Sequence, residues 1–398
     1  MKGIDHIEKL ISDLTVYEKE LKVDELLKAH LQDDIPAKQT IAHVDLVLKT
    51  FQRFGLLGKE DAYELKTLLS IGQTYEEIGG LDQALECYQT CLDLSEKLQD
   101  TRTKAQVLHK MGKVHAKQNG WEQATACLER SRELYEELEE EKELAQVMID
   151  RAVVAYEQGA YQSASDLCAQ ALEIGEQTGQ DRVVANANNN LGILANIRGD
   201  FDQALVHYQS SLVLYEQLKS RYNLAKTYHN LGITYADKQD WKNGTDCFEK
   251  ALKIARELGN LRLIATVHVN KAELYLEFSD LSVAASLCAI ALDIFGQLDY
   301  PLGIAEAYKI LGIIFTEKQE WTTAQRLFED SLQLCEHYDS PLGVAETYRE
   351  LGVMHREKGE RKKAEGAFGA ALERFTRLGV KRSAEEVESL MKQLDKTE

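Results

Sequence analysis

Residues Arg182 to Leu212 read Arg-Val-Val-Ala-Asn-Ala-Asn-Asn-Asn-Leu-Gly-Ile-Leu-Ala-Asn-Ile-Arg-Gly-Asp-Phe-Asp-Gln-Ala-Leu-Val-His-Tyr-Gln-Ser-Ser-Leu. The Leu191-Gly192 pair at its centre returns at Leu231-Gly232, Leu311-Gly312 and Leu351-Gly352, while Met111-Gly112 and Ile71-Gly72 fall on the same forty-residue grid. A fixed period of this length marks stacked units, none of which can bury its apolar face alone. Repeat number, not domain number, is then what the chain length sets.

Outward from that stretch, the grid runs from about residue 60 to about residue 377 without insertion, which gives eight units. Each unit predicts two helices. The first carries the Leu-Gly pair and, three residues after the glycine, Tyr75, His115, Ala155, Ala195, Tyr235, Tyr275, Phe315 or His355. After a short turn the second opens on Leu81, Trp121, Tyr161, Phe201, Trp241, Leu281, Trp321 or Arg361. Three places on is a small residue, as at Ala84, Ala204 and Gly244; then come Tyr88, Leu128, Cys168, Tyr208, Phe248, Cys288, Phe328 or Phe368. A second small residue follows, as at Cys91, Ser131 and Ala251. Antiparallel helices approach closely only where one supplies a notch that a bulky neighbour fills. Glycine within a helix costs roughly 1 kcal/mol against alanine, so a glycine at six of the eight grid points marks such a notch.

The spacing and residue types resemble the tetratricopeptide repeat family, whose pattern is Trp-x2-Leu-Gly-x2-Tyr, then Ala-x3-Phe, then a small residue and a proline. The likeness covers about four-fifths of the chain. The period is forty instead of the family's thirty-four and the terminal proline is missing, so the helices should run longer before turning; this is similar to the long-repeat branch of kinesin light chains and spindle-orientation adaptors. Ala152 and Ala272 replace the notch glycine in units three and six, where packing is expected to be looser or differently angled. The fold class implied is all-α: a right-handed superhelical solenoid of eight antiparallel helix pairs over residues 59–379, capped by residues 1–58 and 380–398.

At the N-terminus, Ile4, Ile7, Ile11 and Leu14, then Leu26, Leu27 and Leu31, then Ile41, Val44, Val47, Leu48 and Phe51 fall at helical spacing, a small helical cap for the first repeat. At the other end Val387, Leu390, Met391 and Leu394 can seal the last unit, with a frayed tail from Asp395. Pro301 and Pro341 each open a first helix, with Ser340 as a natural cap before the latter.

Composition narrows the function. A net charge of −19 disfavours nucleic acid and anionic membrane as partners, and no signal peptide or membrane span is apparent, which reads as cytoplasmic. Seven cysteines is an odd count, and Cys87, Cys127, Cys247, Cys168 and Cys288 share grid positions where a small apolar side chain would serve, which reads as packing in a reducing compartment, with Cys87 and Cys91 as packing before metal binding. The Asn243-Gly244-Thr245 sequon is idle in that compartment. No phosphate loop, His-Glu-x-x-His, paired Cys-x-x-Cys, nucleophile elbow or calcium loop occurs, so the reading is non-enzymatic, with no cofactor and no metal.

With the Leu-Gly pair at places seven and eight of each first helix, places two, six, nine and thirteen share one side. Unit four presents Asn186, Asn190, Ile193 and Ile197 there, unit five Lys226, Asn230, Ile233 and Asp237, and unit six Thr266, Asn270, Glu273 and Glu277. Asn190, Asn230 and Asn270 make a ladder of amides, each offering donor and acceptor to an extended backbone. The family likeness implies that first helices line a concave wall where such asparagines hold a bound segment; the alternative is that they solvate the surface or bridge neighbouring units. The charge drifts along this face. Unit two presents Lys110, Lys113 and Lys117, whereas unit seven presents Glu306, Ile310, Ile313 and Glu317, and unit eight Glu346, Glu350, Val353 and Glu357. Val153, Ile193, Ile233, Ile310 and Ile313 are expected to expose apolar surface between those ends. The partner expected is a protein or peptide segment, acidic at one end and basic at the other, bound to a monomeric adaptor; the second reading is a peptide-sensing regulator whose N-terminal region contacts an effector.

Overall fold

The computed structural model describes residues 61–394; the expected N-terminal cap and the residues from Asp395 on lie outside them. Among the described residues there are seventeen helices and no strand. They are α1 Asp61–Glu77, α2 Leu81–Lys97, α3 Thr101–Lys117, α4 Trp121–Glu137, α5 Glu141–Glu157, α6 Tyr161–Thr178, α7 Asp181–Arg198 and α8 Phe201–Gln217. Then follow α9 Arg221–Asp237, α10 Trp241–Glu257, α11 Leu261–Glu277, α12 Leu281–Gln297, α13 Pro301–Glu317, α14 Trp321–His337, α15 Pro341–Glu357, α16 Arg361–Leu378 and α17 Lys381–Leu394.

The forty-residue period is two beats of twenty. Sixteen turn residues, from Gly79 to Gly379 at every twentieth position, take positive φ; seven are glycine, and the others include Gln99, Asn119 and Lys219. At each beat the next amide reaches back five residues, as from Asp100 to the Ser95 carbonyl (2.9 Å) and from Asp200 to Ala195 (2.9 Å), which satisfies orphan helix-end carbonyls. Longer helices thus replace the family's terminal proline as the source of the period. Asp100 and Asn260 then cap α3 and α11 by accepting from Thr103 N (3.0 Å) and Leu263 N (2.9 Å). Pro301 and Pro341 do open α13 and α15, but the Ser340 side chain makes no capping bond.

The chain forms two compact units, divided between Asp150 and Arg151. In the first, α1 packs on α2 and α3 on α4. In the second, the pairs are α7 with α8, α9 with α10, α11 with α12, α13 with α14 and α15 with α16, and α17 packs on α16. Each pair is built on the notch. A methyl group on Gly72 would lie 2.7 Å from the Tyr88 ring, on Gly112 2.6 Å from Leu128, on Gly192 2.6 Å from Tyr208, and on Gly232 2.5 Å from Phe248. Where the notch is Ala152 or Ala272, the filling place holds Cys168 or Cys288, and all four side chains are buried. There the larger notch residue is matched by a smaller filler. The second small residue also anchors the pair: Ser131 and Ser331 donate to the Ala105 and Ala305 carbonyls (both 2.8 Å), and the Cys91 thiol to Leu65 O (3.6 Å).

Candidate functional site

In the second unit the first helices also touch one another: α7 contacts α9, α9 contacts α11, α11 contacts α13 and α13 contacts α15. Arg349 reaches from α15 to Glu386 of α17 (3.3 Å), and α17 in turn contacts α7. The six first helices close into a ring.

Charges on the inner side sense each other across that ring. Glu157 at the end of α5, Lys226 on α9 and Arg262 on α11 form one group: all three are exposed to water, yet desolvation within the ring lowers the Lys226 ammonium and Arg262 lowers it further, with Glu157 opposing. Desolvation likewise raises the Glu157 carboxyl, against the pull of Lys226 and Arg262. A second group is acidic. Glu273 on α11 is reached by water, yet desolvation in the ring, reinforced by Glu306, Glu346 and Asp237 and opposed by Lys309, pushes its carboxyl up to about 7. Burial raises Asp237 too, although the Asn196 amide (2.9 Å), Arg382 of α17 and Arg349 of α15 oppose it. Lys309 lies between Glu346 (2.6 Å) and Glu306 (2.8 Å). Burial disfavours its charge, but Glu306, Glu346 and Glu273 outweigh burial and hold it well above the ordinary lysine range.

The asparagine ladder has work between units. Asn230 Nδ2 donates to Asn189 Oδ1 (3.4 Å), and Asn270 Nδ2 lies 2.7 Å from His229 Nε2. Asn190 is half-buried beside the Cys168 thiol, and Asn186 Oδ1 accepts from the Tyr215 hydroxyl (2.7 Å). Bridging, the alternative that the sequence left open, is thus what the amides of Asn230 and Asn270 do. The first unit has the same device in His109 Nε2 and Asp150 Oδ2, 2.6 Å apart. A parallel row joins Glu76 to Lys117 (2.7 Å) and Asn196 to Asp237 (2.9 Å). Each bridge spans forty-one residues, one more than the period.

That offset explains what sequence reading missed. Asn189 and His229 occupy place five, which on one helix looks like core, and comparing equal places never pairs place five of one unit with place six of the next; Lys309 and Arg349 also occupy place five but reach thirty-seven residues on, to Glu346 and Glu386. Among the other expected site residues, Lys113, Lys117, Glu317 and Glu357 are exposed, whereas Lys110, Ile193, Ile197 and Ile233 are half-buried. Lys117 is paired with Glu76, and Glu357 with Arg356 (2.9 Å). Ile310 corrects the expected apolar strip: it is fully buried in a cluster with Val269, Ala272 and Ile314. Val153 is exposed, and Ile313 is half-buried. All seven cysteines are free thiols.

Tetratricopeptide repeat models match residues 65–98, 103–177, 143–217, 183–242, 223–296 and 303–377. The chain belongs to the tetratricopeptide repeat family. As a member it is an all-α repeat solenoid and a protein-interaction scaffold. No described helix is long and apolar enough to cross a membrane. No curated protein sequence matches the chain. Among solved structures it is similar to the apo form of RapI (18% identity, TM-score 0.59, covering 69% of this chain and 98% of that one). It is also similar to a Rap protein complexed with competence and sporulation factor (14%, TM-score 0.59, 84% and 98%). Aspartyl phosphate phosphatase F from Bacillus subtilis matches at 14% identity and TM-score 0.59, covering 83% and 88%. At these identities the likeness is one of fold.

Proposed function

We propose that the second unit binds a short peptide, or the free end of a partner protein, inside its ring of first helices, without catalysis. The observation that supports this is the crossing of charge between helices that are not neighbours, Asp237 and Glu273 with Glu346 above all. Partly desolvated charges facing an enclosed space favour a charged ligand that replaces the lost water. The acidic group of Asp237, Glu273, Glu306 and Glu346 takes the basic end of that ligand, and Glu317 and Glu357 extend the acidic rim. Asn186, Asn190, Asn230 and Asn270, their orientation fixed by the bridges, hold its backbone; Ile193, Ile197 and Ile233 give it an apolar floor. Lys110, Lys113 and Lys117 of the first unit offer acidic residues of a partner a separate patch.

The closed ring favours the peptide-sensing reading over the adaptor reading, because an internal segment of a folded protein would have to be threaded through it, while a free end simply enters. A Rap protein of the same fold has been solved with competence and sporulation factor, which agrees with a regulator that carries a small signal; the N-terminal region would then meet an effector. The test is native mass spectrometry of the full chain exposed to a cell-derived peptide extract, beside an Asp237→Lys/Glu273→Lys variant. Retention of short basic peptides by the wild type and their loss from the variant is expected; equal retention by both defeats the assignment.

A further inference from the structure

The ring is closed by a seam with specific parts. The α16 end reaches the α5–α6 turn, where a methyl group on Gly159 would collide with Leu378 Cδ2 and come within 3.9 Å of Pro341 Cγ. One repeat further on, a methyl group on Gly199 in the α7–α8 turn would lie 3.0 Å from Arg382 Cδ on α17. The Arg382 guanidinium stacks over Phe201, 4.6 Å from the ring centroid, and acts on Asp237 within the ring. On its other side α17 is tied to α15 by Arg349 with Glu386 (3.3 Å) and Arg356 with Gln393 (3.4 Å).

The turn conformation does not by itself require glycine at positions 159 and 199. Nine sibling turns adopt it with Gln, Asn, Glu, Lys, Ser or Asp, at the modest cost of a left-handed L-residue. What sets Gly159 and Gly199 apart is their neighbours: at Gly79, Gly179, Gly259, Gly359 and Gly379 an added methyl group meets nothing within 4 Å. At the seam a side chain has no room while the ring is shut.

We propose that this seam is a gate: α17 and the end of α16 swing from the α5–α6 and α7–α8 turns to admit a ligand and return to enclose it. The contact is small, joining one arginine–aromatic stack and one leucine to two bare turns, whereas α17 stays anchored through Val387 and Leu394, both buried. Such an element belongs to the low-stability end of a structure, where local opening costs far less than unfolding. The gate rests on the ring being the binding site, but its motion can be read without any ligand.

The experiment substitutes residues that sibling turns already carry. A Gly159→Gln/Gly199→Gln variant props the seam apart, and Gly259→Gln, in open space, is the control. Two rates are followed by mass spectrometry: hydrogen exchange of α17, and acylation of Lys226, which water reaches but which faces the ring's charged interior, by a sulfo-N-hydroxysuccinimide biotin reagent too bulky to follow water, with Lys242 on α10, outside the ring, as reference. Both rates should rise by about threefold or more in the seam variant and stay level in the control. If α17 exchange rises while Lys226 does not, the helix loosens without governing access and the gate is wrong; if neither moves, the seam holds nothing shut. Should the paired variant unfold, Arg382→Ala at an exposed side chain reads out the same two rates. An intact gate with no peptide retained would overturn the proposed ligand, and retained peptides with unchanged Lys226 access would overturn the gate alone.

Discussion

Two kinds of joint hold this chain together, and they obey different chemistry. Within a pair, a bare or small notch on the first helix receives one side chain from the second, large opposite glycine as at Gly192 with Tyr208, and cysteine where the notch is Ala272, which shares a buried cluster with Cys288. Between first helices of successive units the joint also carries a polar row whose chemistry varies: His109 with Asp150, Asn189 with Asn230, His229 with Asn270, Lys309 with Glu346. Steric fit at the pair permits few solutions, so it repeats. Hydrogen-bonded partners need only be complementary, so that row is free to vary.

The sharpest way to break this contrast is at a pair joint. Gly232→Val should destabilise the second unit by roughly 3 kcal/mol, because a group 2.5 Å from Phe248 forces a fully buried ring to move; chemical denaturation measures it. Lys309→Ala comes next. It leaves Glu306 and Glu346 facing each other without their buried cation, at a cost of about 2–3 kcal/mol by the same measurement, and Lys309→Met, which keeps the volume, should recover part of it.

Much of this was legible before any coordinates. The notch glycines and their fillers sit sixteen residues apart in one unit, as Gly192 and Tyr208 do, and repetition exposes them. The between-unit row was half-legible: Asn190, Asn230 and Asn270 were visible as a column, but their partners Asn189 and His229 stand one place off the period. The seam was not legible at all. Its contacts, Gly159 with Leu378 and Gly199 with Arg382, depend on how far each unit turns against the last, a quantity written in no single residue.

Smaller effects test the polar row. Asn270→Ala should cost about 1 kcal/mol, the worth of one partly buried hydrogen bond, and should free His229, whose imidazole burial now lowers to about 4; histidine NMR titration would show it moving upward. The least costly variant concerns pH. Glu273 holds its proton more tightly folded than unfolded, so its contribution favours the native state at low pH and is lost as pH rises from the ordinary carboxylate range through about 7. Glu273→Gln should therefore show a flatter fall in melting temperature between roughly pH 5 and roughly pH 8. An identical slope would place that carboxylate in bulk water, outside the ring.

Arrays of this kind ordinarily lengthen or shorten by whole modules with little penalty, since each contacts only its neighbours. Here α17 contacts α7, which couples the first and last members of the ring. Duplicating one forty-residue module between α9 and α16 would leave Leu378 and Arg382 stranded far from their glycine turns, turning a hoop into an open coil. The number of modules in the second unit is thus fixed by circumference.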